Sequence, residues 1–98
     1  GAKGNDKMQT KYPPPPRSNE DIRTYSGHGE YMACAILRKY DTRQLMAFRK
    51  LRLAMGEIAF RDALIEGLDI LSRAKTITTP AGWLYDFIRK EAEACQDM

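Results

Sequence analysis

The sequence predicts an all-α protein, a compact bundle of about four helices behind a disordered, proline-rich N-terminal segment. Three observations point there. Apolar residues recur at three- and four-residue intervals from Tyr31 to Ile88. Capping residues stand where those stripes begin and end. Strand-like alternation is absent beyond the short Lys75-Thr76-Ile77-Thr78 connection.

Residues 1–17 read as a short tag remnant followed by a linker, and residues 18–98 as the helical domain. The chain opens Gly1-Ala2-Lys3-Gly4 without an initiator Met and is polar up to Tyr12. Pro13-Pro14-Pro15-Pro16 has no backbone donors and favours the extended polyproline II form. Such a run is a stiff spacer or a ligand for a proline-binding module.

Ser18 followed by Asp21 imitates a capping box and predicts a short helical turn through Ile22 and Tyr25. Gly27-His28-Gly29 ends it, because two glycines so close make helix costly. The first long helix is expected over Glu30–Tyr40, with Tyr31, Met32, Ala35, Ile36 and Tyr40 on one face. Asp41 then supplies a fresh N-cap. The second is expected over Thr42–Met55, with Leu45, Phe48, Leu51 and Met55 as its apolar seam and Gly56 as a left-handed terminator.

The third helix, Glu57–Ala74, has the longest stripe: Phe60, Ala63, Leu64, Gly67, Leu68, Leu71 and Ala74. Gly67 in mid-helix costs about 1 kcal/mol against Ala, which predicts a close contact with another helix. Arg61, Asp62, Glu66, Asp69 and Arg73 fall on the other side, with Asp69 and Arg73 at attractive spacing. Thr79-Pro80 starts the fourth helix, proline fitting its first position. Its inward residues are Trp83, Leu84, Phe87 and Ile88, and Ile77 pins the preceding connection.

Composition and motifs exclude several functions. No apolar run approaches the roughly twenty residues of a membrane span, so a soluble, cytoplasmic protein is expected. Cys34 and Cys95 are far apart, with no Cys or His at ligand spacing, and read as reduced, half-buried thiols. No metal or cofactor is expected. His28 is the only histidine and has no nucleophile or orienting acid nearby in sequence. Glycine-rich phosphate loops and nucleophile elbows are missing, so an enzyme is not expected.

The net charge of +3 conceals an uneven distribution. From Arg38 to Arg52 there are six basic residues and one acid, a balance of +5. From Leu53 onward five basic residues face eight acidic ones, a balance of −3. Arg38, Lys39, Arg43, Arg49, Lys50 and Arg52, extended by Arg89 and Lys90, form the candidate DNA-binding set, since Arg and Lys make charge-assisted contacts to phosphate. The alternative is a protein-interaction module whose acidic and basic faces dock partners or a second copy of the chain.

Beyond composition, the second half of the chain carries a resemblance. Phe48-Arg49, Met55-Gly56, Ser72-Arg73-Ala74, Ile77-Thr78-Thr79-Pro80-Ala81-Gly82-Trp83-Leu84 and Arg89-Lys90 resemble the carboxy-terminal helical domain of plasmid replication-initiator proteins. In that family an aromatic–Arg pair opens a helix and Met-Gly closes it. A Ser-Pro-Gly-Gly-Tyr-Leu-like segment starts the last helix. The resemblance implies a replication-associated accessory domain that contacts DNA or a replication protein. The third helix is more acidic than the family pattern, and residues 30–40 do not share it.

Overall fold

Five helices and no strand occur among the described residues: α1 (Asn19–Thr24), α2 (Gly29–Leu37), α3 (Thr42–Met55), α4 (Glu57–Arg73) and α5 (Pro80–Gln96). The computed structural model describes residues 12–96. Expectations for residues 1–11 and for the Cys95 side chain lie outside what it describes. The expected bundle is present, as four longer helices with one extra turn of helix, α1, packed against α4.

The caps explain most of the boundaries. The Ser18 hydroxyl makes no cap bond. Instead Asp21 Oδ2 accepts the Arg17 backbone N–H at 2.8 Å, so the acid of the expected box reaches one residue further back. The Asp41 carboxylate accepts the Gln44 N–H at 2.7 Å and starts α3 as expected. Gly56 closes α3 and opens α4 at once: its N–H donates to Arg52 C=O at 2.7 Å, and its C=O accepts from Phe60 N–H at 2.9 Å. Its φ of 95° is positive as expected, but its ψ of 156° is extended rather than left-handed helical. That region is open essentially only to glycine. The Thr79 C=O accepts the Trp83 N–H at 3.0 Å, the first bond of α5.

The largest boundary difference is at the end of α2. The helix expected to reach Tyr40 ends at Leu37, because Arg38 turns left-handed at φ 54°, ψ 35°. Arg38 and Lys39 N–H groups then donate to Ala35 and Cys34 carbonyls, each at 3.2 Å, satisfying the last turn. The reversal frees the three residues needed to bring Asp41 into the extended conformation of an N-cap. Tyr40 is thereby left 45 % exposed, with the Tyr12 ring edge-on at 5.2 Å.

The core is the meeting of the predicted seams. Phe48, Phe60, Leu64, Leu84 and Ile88 are fully buried, with Ile22 of α1 and Met32 of α2. Phe48 meets Phe60 and Tyr85 edge-to-face at 6.3 and 5.9 Å. Trp83 and Phe87 are only half-buried and stack on one another at 5.1 Å. Cys34 is completely buried rather than half-buried, and burial pushes its thiol up to about 12, helped by Asp41 and Glu30. Pro13, Pro15 and Pro16 are half-buried, and the run lies beside Tyr25 and Met32.

Gly67 is the close contact its position implied. A Cβ there would lie 2.5 Å from Leu84 Cδ1 and 3.5 Å from Phe87 Cδ2. Gly67→Val is therefore expected to force α4 and α5 apart and lower stability by about 2 kcal/mol, despite better helix propensity. Thermal unfolding followed by circular dichroism reads this as a fall of roughly 8–16 °C. An unchanged midpoint would show that Leu84 moves aside freely.

Candidate nucleic-acid interface

The eight basic residues do not form one surface. Arg49 and Arg52 flank the buried side of α3, and both guanidiniums turn onto α2. Arg49 Nε donates to Glu30 Oε2 at 2.8 Å, and Arg52 Nε donates to Glu30 Oε1. Arg52 adds a second bond to Oε2 at 3.3 Å, and Arg49 donates to the Tyr31 hydroxyl at 3.3 Å. Glu30, a residue that the sequence marks only as a helix start, is 0 % exposed.

Burial pushes the Glu30 carboxyl up. Hydrogen bonds from Arg52 and Arg49, from its own backbone amide, and the Arg52 charge outweigh that and hold it below its ordinary value. The same bond to Glu30 is the first cause raising the Arg49 guanidinium above its ordinary value. The network continues beyond Glu30. Arg52 also lies 3.7 Å from Glu57 Oε1, and Glu57 Oε2 accepts from Arg61 Nε at 2.6 Å. Arg61 in turn donates to the carbonyls of Ile22, Arg23, Tyr25 and Gly27. A single ionic chain thus ties α1, α2, α3 and α4 together.

Arg89 is paired as well, with Glu93 at 2.7 Å and Asp86 at 3.6 Å along α5. The remaining five, Arg38, Lys39, Arg43, Lys50 and Lys90, are exposed and have no ion-pair partner among the described residues. Four of these lie on the α2–α3 turn and on α3. Lys39 and Arg43 line an open groove of 390 Å³ against Gly82, Tyr85 and Asp86 at the start of α5. Gln44 lines it too, and its buried Nε2 has no hydrogen-bond partner. Arg43 and Lys50 are seven residues apart, two turns along one helical face.

Sequence spacing held one clue to the inward arginines. Arg52 follows Leu45 by seven and Phe48 by four, so it falls on the seam's own period. Glu30 had no such signal, because its partners are 19 and 22 residues away. No group of three or more His, Cys, Asp or Glu able to hold a metal occurs among the described residues, and none of the helices is long and apolar enough to cross a membrane. No family model, curated protein or solved structure matches the chain.

Proposed function

We propose that this domain is an accessory DNA-binding module of a replication or plasmid-maintenance protein, holding the phosphate backbone without chemistry of its own. The observation that carries the reading is the strip Arg38, Lys39, Arg43 and Lys50, four exposed cations with no acidic partner on one turn and one helix. Long flexible cations left unpaired on the surface suit phosphate contacts, which position a protein on nucleic acid without reading sequence.

The surroundings favour an anion. The first turn of α5 faces Lys39 and Arg43 across the groove, and a helix start carries partial positive charge from its unpaired N–H groups. Two acids lie close by, but Asp41 is occupied as the α3 cap and Asp86 sits 3.6 Å from Arg89. Arg49 and Arg52 belong to Glu30 and are left out of the interface. The resemblance of the second half to replication-initiator domains agrees with such a role and supplies its biological setting.

The test is fluorescence anisotropy on a short labelled duplex at low and moderate salt. Three or four phosphate contacts give an expected slope of about −3 in log K against log salt. Lys39→Ala with Arg43→Ala is expected to weaken binding on all sequences alike and to reduce the slope by about 2. Absence of binding at low salt by the folded chain would overturn the proposal.

A further inference from the structure

We infer that α3 of one copy docks antiparallel on α4 of a second copy, through two outward stripes with complementary chemistry. Among the described residues the large hydrophobics left exposed are Tyr40, Met46, Leu53 and Ile58. Three of these four lie on two outward faces: Met46 at 42 % and Leu53 at 67 % on α3, Ile58 at 80 % on α4. Ile58 and Leu53 are open to an apolar contact that a single copy does not make.

The stripes have a regular order. On α3, Arg43, Met46, Lys50 and Leu53 follow at three, four and three residues, alternating basic and apolar. On α4, Ile58, Asp62, Ile65 and Asp69 follow at four, three and four, alternating apolar and acidic. Both spacings keep one helical face and both span about 15 Å.

Laid antiparallel, the stripes pair Leu53 with Ile58, Lys50 with Asp62, Met46 with Ile65, and Arg43 with Asp69. Every contact is then apolar on apolar or opposite charge on opposite charge. Laid parallel, each charge meets an apolar side chain instead. Shifted by one step, a parallel arrangement keeps three matched contacts, Met46–Ile58, Lys50–Asp62 and Leu53–Ile65, one fewer than the antiparallel one, so the order of residues favours antiparallel docking.

A second copy is the occupant because the chain carries both halves but cannot join them within itself. Leu45, Phe48 and Leu51 turn α3 toward the core, and Phe60, Ala63 and Leu64 do the same for α4. The stripes lie on the other sides of these helices, Ile65 half-buried with one part of its side chain against the core, and Gly56 alone separates α3 from α4. The acidic side is also the more negative surface around it. Asp62, Glu66, Asp69 and Glu91 line one 510 Å³ groove with Arg23 as its only cation. The in-chain Asp69–Arg73 pair, 2.9 Å apart, is 62 % and 68 % exposed, and such pairs yield readily. Arg43 and Lys50 also belong to the strip proposed for nucleic acid, so duplex and second copy exclude one another on α3. The inference itself does not depend on nucleic-acid binding.

Sedimentation velocity on the full chain, free of DNA and at low salt, tests it. Association that grows with concentration up to about 1 mM and weakens with added salt is expected. Lys50→Glu and Asp62→Lys each place like charges in contact and are expected to weaken association by roughly tenfold or more. Circular dichroism should show both variants folded, since both positions are exposed. An equimolar mixture of the two variants brings a glutamate at position 50 opposite a lysine at position 62, and association should return. A wild type monomeric throughout, association indifferent to both variants, or a mixture that fails to recover would each overturn the inference.

Discussion

Replacing Glu30 with alanine should destabilise the domain by about 3 kcal/mol, because it strands two guanidiniums against α2. Arg52 is 13 % exposed and Arg49 32 % exposed, so the first bears most of the loss and the second recovers some hydration. For a domain of this size the unfolding midpoint should fall on the order of 15 °C. Removing both ends of the principal contact, with Glu30→Leu and Arg52→Leu together, should cost much less than the two single changes summed. A double-mutant cycle on chemical denaturation measures that difference. Strictly additive losses would mean that Glu30 and Arg52 do not act as a unit.

The same carboxylate fixes a pH dependence. Its folded value lies below its ordinary one, so its contribution is complete above the ordinary glutamate range and is lost as pH falls through the folded value. Stability should hold level from neutral pH down to about 5 and then decline through the acid range. Glu30→Gln should flatten part of that decline. A wild-type and variant profile of identical shape would assign the acid sensitivity to other carboxylates.

Arg61→Ala should release α1 and the turn that follows it. α1 is a six-residue helix ending in unpaired carbonyls, and helix ends need such partners. Arg61 supplies them: one nitrogen reaches Ile22, Arg23 and Tyr25 at 2.8–3.1 Å, the other reaches Gly27. Its guanidinium also lies 5.9 Å from the centre of the Tyr25 ring. Loss of this fork should cost about 2–4 kcal/mol. The loss should be local first: amide exchange across residues 18–28 speeds up while α3, α4 and α5 stay protected. Arg61→Lys should recover little, since one ammonium cannot reproduce a planar fork holding four carbonyls. Unchanged exchange in residues 18–28 would show that the carbonyls find other donors.

These two arginine contacts have different standing in the proposed interface. Glu30 withdraws Arg49 and Arg52 from the surface and leaves Arg38, Lys39, Arg43 and Lys50 to meet an anion. The ionic chain through Glu57 and Arg61 joins α4 to α1 and to the turn that follows α1. Variants at Glu30 are therefore expected to act on folding, and variants at Lys39 and Arg43 on the proposed binding.

What was legible in the sequence was whatever local physics controls. Asp41, Gly56 and Thr79-Pro80 set helix ends through contacts reaching no further than four residues. The stripes of α3, α4 and α5 follow from a fixed helical period, and Gly67 signalled a close approach because nothing local rewards a glycine there. Arg38, Lys39, Arg43 and Lys50 were legible as cations on or beside a helix. Their freedom from partners was not.

Only the tertiary structure decided where the long side chains went. An arginine can point outward to solvent or fold back onto a neighbouring helix, and the choice turns on an acid 19 or 22 residues away. The same holds for the early stop of α2 at Leu37, imposed by the path the chain must take into α3, and for Arg61, whose carbonyl partners lie 34 to 39 residues before it. Period and caps determined the helices by themselves. Contacts distant in sequence determined which charges the folded protein keeps for itself and which it leaves on the surface.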